Sequence, residues 1–154
     1  MNVFIVENTE SARGYLQSML ANIPGVTVAG FAVDELGAIQ QIGELLPDVV
    51  TLDINLQAGS GIKVLKYIKT QHAEIKVIVL TNYVDEYYRQ VCMQAKADYV
   101  FDKIMQFQLA VSVLWSLNHA VRTKHVVDAP QPCNPIIQAA QAAFPAGENH
   151  ANKQ

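Results

Sequence analysis

The sequence predicts an open, doubly wound α/β domain with a five-stranded parallel sheet in the order 2-1-3-4-5 and helices on both faces. Short apolar runs such as Val3–Val6 and Val77–Leu80 alternate with longer stretches in which apolar residues recur at helical spacing. The runs are apolar throughout rather than every second residue, as strands covered on both faces require. Repetition of this strand-then-helix pattern demands right-handed crossovers, which make the strands parallel. In such a sheet ligands gather beyond the carboxyl ends of the strands, so the residues following each run carry the functional question.

The first strand, Val3 to Val6, gives way to Glu7-Asn8-Thr9-Glu10. Ala12, Leu16, Met19, Leu20 and Ile23 then mark a helix that Pro24-Gly25 ends, with Asn8 or Thr9 as its N-cap. Val26 to Phe31 is the second strand. Asp34 caps the second helix, which turns Leu36, Ile39, Ile42, Leu45 and Leu46 inward until Pro47. Val49 to Asp53 is the strand on which the chain centres: it delivers an acid to the sheet edge, and Gly59-Ser60-Gly61 leads into a third helix to Ile68. Lys63, Lys66 and Lys69 read as the solvated face of that helix.

Lys76 to Thr81 is the fourth strand, and its helix runs from about Asp85 to Ala95 with Tyr88, Val91, Cys92 and Ala95 inward. Asp98 to Asp102 is a short fifth strand. The last helix, about Phe107 to Val121, turns Leu109 or Ala110, Val111, Leu114, Leu117 and Val121 toward the sheet, and Trp115 packs in the core or at the helix edge. After residue 122 proline and alanine dominate, so residues 1–122 read as the domain and 123–154 as a tail, within which 136–144 has the pattern of a short helix.

A hydrophobic fraction of 51% with 16% charged residues suits a compact domain. The net charge of -3 supplies no basic field for nucleic acid or anionic lipid. No apolar run has the length of a signal peptide or a membrane span, which places the expected site of action in the cytoplasm. Cys92 and Cys133 read as reduced thiols, and the scattered His72, His119, His125 and His150 lack metal-ligand spacing. Gly59-Ser60-Gly61 has no third glycine at dinucleotide-site spacing, and the acidic turn after the first strand repels a pyrophosphate.

The strand ends carry Glu7 and Asn8, then Asp53, then Thr81, then Lys103. Strand order sets the first and third strands side by side, so Glu7, Asn8 and Asp53 converge on one crevice. Oxygen donors of this kind suit Mg2+. With charge neutralised by the metal and Lys103, the Asp53 carboxylate can attack a phosphoryl group.

Across residues 1–122 the chain resembles the receiver domain of two-component response regulators, the CheY-like family with its flavodoxin-like fold. The likeness rests on Ile5-Val6-Glu7-Asn8, Val50-Thr51-Leu52-Asp53-Ile54-Asn55, Gly61, Val79-Leu80-Thr81-Asn82 and Ala97-Asp98-Tyr99-Val100-Phe101-Asp102-Lys103. The resemblance implies that Asp53 is the phosphoacceptor, that Glu7 and Asn8 occupy the acidic-pair positions for Mg2+, and that Asn55 offers the metal its backbone carbonyl. Thr81 and Lys103 would engage the phosphoryl group, and the aromatic switch falls at Tyr99 or Phe101.

Asn8 stands where the family usually has an aspartate, which predicts weaker metal binding and slower phosphorylation. Gln57 and Ile104 replace frequent prolines. Partners implied are a sensor histidine kinase or histidine phosphotransfer protein, and an output protein on the face of helix 4, strand 5 and helix 5, near Tyr83, Tyr87 and Tyr88. With no output domain expected after Val121, the reading is a single-domain response regulator in a phosphorelay, not an enzyme beyond its own Mg2+-dependent phosphorylation and dephosphorylation. The alternative is a phosphorylation-independent receiver-fold adaptor or dimerisation module, with a homodimer as one form.

Overall fold

The computed structural model describes residues 1–82 and 85–127, the side chains of 121–127 excepted. Tyr83, Cys133 and the helix expected at 136–144 lie outside the described residues. By backbone contacts the chain divides into Met1–Arg122 and Thr123–Gln154.

The elements alternate as β1 (Asn2–Val6), α1 (Glu10–Ala21), β2 (Thr27–Ala32), α2 (Glu35–Leu45), β3 (Val49–Leu52), α3 (Gly61–Gln71), β4 (Lys76–Thr81), α4 (Glu86–Gln94), β5 (Tyr99–Asp102) and α5 (Phe107–Val127). All neighbouring strands pair parallel, and the five-stranded sheet has the order β2-β1-β3-β4-β5. No helix among the described residues is long and apolar enough to cross a membrane.

Strand side chains point alternately to two cores. Phe4, Val6, Val50, Leu52, Val77 and Val79 meet α2, α3 and α4 through Ile42, Val64, Leu65, Ile68 and Cys92. Val3, Ile5, Val49, Ile78 and Leu80 meet α1 and α5 through Leu16, Leu20, Ala110 and Leu114. Burial on both faces is why β3 reads as an unbroken apolar run, and it holds each strand end in register with its neighbour.

Helix phase differs from the sequence pattern on α2. Asp34 does cap α2, accepting from Gly37 N–H at 2.8 Å, but Leu36, Leu45 and Leu46 are exposed. Ala38 and Ile42, one turn apart, face the sheet instead, and Leu46 leaves the helix in the left-handed conformation at φ 45°. On α5, of the two residues the spacing left open, Ala110 is the buried one and Leu109 is exposed. Trp115 sits at the helix edge, half exposed, with its ring centroid 3.9 Å from that of His119. The α5 helix also continues past the expected end at Val121 to Val127.

Lys69 corrects the reading of α3 as a helix with a wholly solvated lysine face. Lys63 and Lys66 are exposed, but Lys69 Nζ is largely buried and donates to Asp98 Oδ2 at 2.5 Å and to the Ile75 carbonyl at 2.7 Å. Asp98 also accepts from Lys76 Nζ and Val77 N–H, both at 2.9 Å. One carboxylate thus ties α3, β4 and the start of β5 together at the amino edge of the sheet.

Burial alone would raise the Asp98 pKa, but hydrogen bonds from Lys69, Val77 N–H and Lys76 outweigh it and hold it below its ordinary 3.8. A depressed folded-state value stabilises above the unfolded pKa, and that stability disappears as pH falls through the folded one. Asp98→Ala should therefore cost about 3 kcal/mol near neutral pH, since it strands the buried Lys69. In chemical denaturation the gap to the parent should narrow as pH drops below 3.8.

Candidate functional site

The parallel register brings the predicted residues to one edge. Val6 pairs with Leu52, so Glu7 and Asp53, the next residue on each strand, emerge side by side. Their backbones remain in the ladder, with Asp53 N–H donating to Val6 O and Glu7 N–H to Ala32 O, both at 2.9 Å. Both acids are buried, Glu7 at 1% exposure and Asp53 at 6%. Two acids this dry need a counter-charge.

Lys103 supplies it. Its Nζ donates to Glu7 Oε2 at 2.7 Å and to Asp53 Oδ2 at 2.5 Å. Burial pulls the ammonium pKa down, but the hydrogen bonds and charges of Asp53 and Glu7 more than offset this and leave it above its ordinary value. The remaining carboxylate oxygens are also engaged: Asp53 Oδ1 accepts from Asn55 N–H at 3.1 Å, and Glu7 Oε1 from Thr9 N–H at 3.0 Å.

Thr81 closes β4, fully buried, and Lys103 N–H donates to its carbonyl at 3.0 Å. The lysine backbone is therefore pinned beside Thr81 while its side chain reaches over to β1 and β3. Asn8 is placed differently from the two acids. It is only partly buried, and its Oδ1 accepts from the Thr9 hydroxyl at 3.0 Å. Thr9 occupies the N-cap position of α1, as one of the two expected residues, yet its side chain makes no capping bond because it is turned to Asn8.

Tyr99 and Phe101 both lie on the β5 face that packs toward α1 and α5, their rings parallel with centroids 6.1 Å apart. Tyr88 packs against the other core, and Tyr87 is exposed. A cleft of about 330 Å³ beside Lys103 is lined by Tyr15, Leu16, Ile104, Met105 and Phe107.

Asp102 was not among the predicted site residues, yet it shapes the turn that carries Lys103. Its Oδ1 accepts from Ile104 N–H at 2.8 Å and Met105 N–H at 2.7 Å, while its own N–H donates to Gln106 Oε1 at 3.0 Å. This Asx-type turn uses the Ile104 N–H that a proline would lack. An aspartate between the last apolar run and the final helix, at a position suited to an Asx turn, was the available signal.

The donor set fits a hard cation. Glu7 and Asp53 already converge on one charged atom, Lys103 Nζ, and every donor in reach is oxygen. Among the described residues no group of three or more His, Cys, Asp or Glu gathers. A cation here therefore relies on two carboxylates supplemented by amide or carbonyl oxygens and water, a set that Mg2+ accepts. If Lys103 is what offsets the two acids, Lys103→Met should lower stability by about 3 kcal/mol. Added Mg2+ should raise the melting temperature of that variant more than that of the parent.

Comparison with known proteins agrees with this geometry. The family model for the response regulator receiver domain matches residues 3–114. Protein-glutamate methylesterase/protein-glutamine glutaminase 5 of Myxococcus xanthus is 33% identical over 82 residues, 53% of this chain and 24% of that protein. The DNA-binding transcriptional activator DevR/DosR of Mycobacterium tuberculosis is 28% identical over 114 residues, covering 73% of this chain and 52% of its own length. The chain thus spans between a quarter and a half of these curated relatives. The response regulator domain of Thermotoga maritima CheB superposes with a TM-score of 0.68 at 26% identity, over 78% of this chain and 94% of that one. With five parallel strands in the order 2-1-3-4-5, the matched residues 3–114 and these relatives, the chain belongs to the response regulator receiver domain family.

Proposed function

We propose that the chain is a response regulator receiver that accepts a phosphoryl group on Asp53 from a histidine kinase or a histidine phosphotransfer protein. The observation that carries this is the convergence of Glu7, Asp53 and Lys103 at the carboxyl edge, with Lys103 bonded to the Thr81 backbone. Glu7, Asp53, Asn8 and the Asn55 carbonyl are the groups proposed to hold Mg2+. Bound there, Mg2+ would neutralise charge on phosphoryl oxygens.

In the proposed transfer an Asp53 carboxylate oxygen attacks phosphorus as the bond from phosphorus to the donor breaks, and its electron pair leaves with the donor. The chain's part is positioning and electrostatics. Asn55 N–H and Lys103 Nζ fix the carboxylate, one at each oxygen. The new group adds about -1.5 to -2 charges and acceptor oxygens. In this reading Lys103 and Thr81 engage them, drawing the ends of β4 and β5 inward.

Tyr99 and Phe101 lie immediately upstream on β5, so a shift at Lys103 reaches them through Asp102. Output is then through a protein partner on the face of α4, β5 and α5. One observation favours the alternative of a phosphorylation-independent adaptor: Asn8 replaces an acid, and its amide oxygen is occupied by Thr9.

Intact-mass measurement after incubation with acetyl phosphate or phosphoramidate separates the two. A phosphoryl adduct that needs Mg2+ and is absent in Asp53→Asn is expected. Loss of partner binding in Asp53→Asn would count further for the regulator, whereas no adduct with any donor or kinase and intact partner binding in that variant would favour the adaptor.

A further inference from the structure

The loop between Asp53 and α3 carries Asn55, whose N–H donates to the proposed acceptor, yet Gln57 leaves it without the rigidity of a proline. Its N–H donates instead to Val33 O at 3.0 Å, a bond that proline could not make. Two further bonds fasten the same loop to the start of α2: Glu35 N–H donates to Ala58 O at 3.0 Å, and Glu35 Oε2 accepts from Ser60 N–H at 2.9 Å.

Gly59 between them is required twice. Its φ of +82° favours glycine, and a Cβ there would lie 2.4 Å from both Cβ and Oε2 of Glu35. At its far end the loop is equally tight. Gly61 N–H donates to Ile54 O at 3.0 Å, and a Cβ on Gly61 would lie 2.2 Å from the Asp53 carbonyl oxygen. The Glu35 side chain is 18% exposed, while Lys63, 3.8 Å away, is 70% exposed and adds little.

We propose that Glu35 is a positioning residue for Asp53: by accepting from Ser60 N–H its carboxylate holds the loop so that the Asn55 amide stays on the Asp53 carboxylate and the Asn55 carbonyl stays at the metal position. The inference rests on the reading of Asp53 as phosphoacceptor, and it takes the part that the missing proline leaves open. Loop misplacement of this kind slows chemistry far more than it perturbs folding.

The test compares the full chain with Glu35→Ala, Glu35→Gln and Lys63→Ala, using phosphoramidate and Mg2+ well below the melting temperature. Glu35→Ala should form the adduct about tenfold more slowly. Glu35→Gln, whose amide oxygen still accepts from Ser60 N–H, should recover to within about twofold of the parent, and Lys63→Ala should match it. Glu35→Asp, one methylene short of Ser60, replaces the alanine variant if that one fails to fold.

Amide hydrogen exchange at Asn55 supplies a readout that needs no phosphorylation. It should speed up in Glu35→Ala and return toward the parent rate in Glu35→Gln. Parental adduct rates in Glu35→Ala, no rescue by glutamine, or an unchanged Asn55 amide would each overturn the clasp. Absence of an adduct in the parent itself would instead remove the reading of Asp53, and the Asn55 exchange would then decide the clasp alone.

Discussion

Two acids buried side by side repel one another and lose their hydration, and a parallel sheet offers them no counter-charge of its own. Glu7 and Asp53 are forced into that position by register, because Val6 and Leu52 are partners in the β1·β3 ladder. Lys103 resolves the conflict from the other side of the sheet, with Nζ within 2.7 Å of one acid and 2.5 Å of the other. That single ammonium links β1, β3 and β5 at the carboxyl edge. The equivalent device at the amino edge has the charges reversed: one carboxylate, Asp98, accepts from Lys69 and Lys76. The sheet is fastened by one small ionic cluster at each end and by apolar burial between them.

The loops around the acids follow a common rule. At positions 57 and 104 the backbone N–H is present and used, by Val33 O in one loop and by Asp102 Oδ1 in the other. A proline restricts a loop by fixing φ, whereas these bonds restrict it only while their acceptors remain in place. Two side chains add to this, Glu35 by accepting from Ser60 N–H in the first loop and Asp102 by accepting from Ile104 N–H in the second. A substitution at either residue reaches the edge without touching Asp53.

The fold was legible because its signals are local: five apolar runs, helical spacing between them, and punctuation by Pro24-Gly25 and Pro47. The convergence of Glu7, Asp53, Thr81 and Lys103 followed from strand order alone, since residues after parallel strands share an edge. What escaped depends on contacts far apart in sequence. Lys69 reads as solvated until Asp98, 29 residues on, is placed beside it. Glu35 reads as an ordinary acid in a first helical turn until Ser60, 25 residues on, donates to it. The leucines of α2 mislead for another reason: Leu36 and Leu45 stand at its two ends and are exposed, while Ala38 and Ile42 between them are buried. Buried Asn118 fits neither pattern, and its Nδ2 is explained by the Pro24 carbonyl at 2.9 Å.

The geometry also constrains how any signal leaves the edge. Lys103 is held at both ends, by the Thr81 carbonyl at its backbone and by Glu7 and Asp53 at its ammonium. Under the proposed phosphorylation one Asp53 oxygen becomes the bridging oxygen and ceases to be an equal partner, while Glu7 stays in place. Lys103 Nζ must then redistribute between Glu7 and the phosphoryl oxygens, and its backbone can follow only with Asp102, which is the last residue of β5 and the cap of the next turn. Phe101 precedes Asp102 and lies parallel to Tyr99, so displacement at the strand end is passed to a pair of rings rather than to one. In the proposed switch the two rings would therefore move together. Tyr99 and Phe101 share one face and one stack, and the lysine proposed to move them is the one that pairs with both acids of the unmodified site.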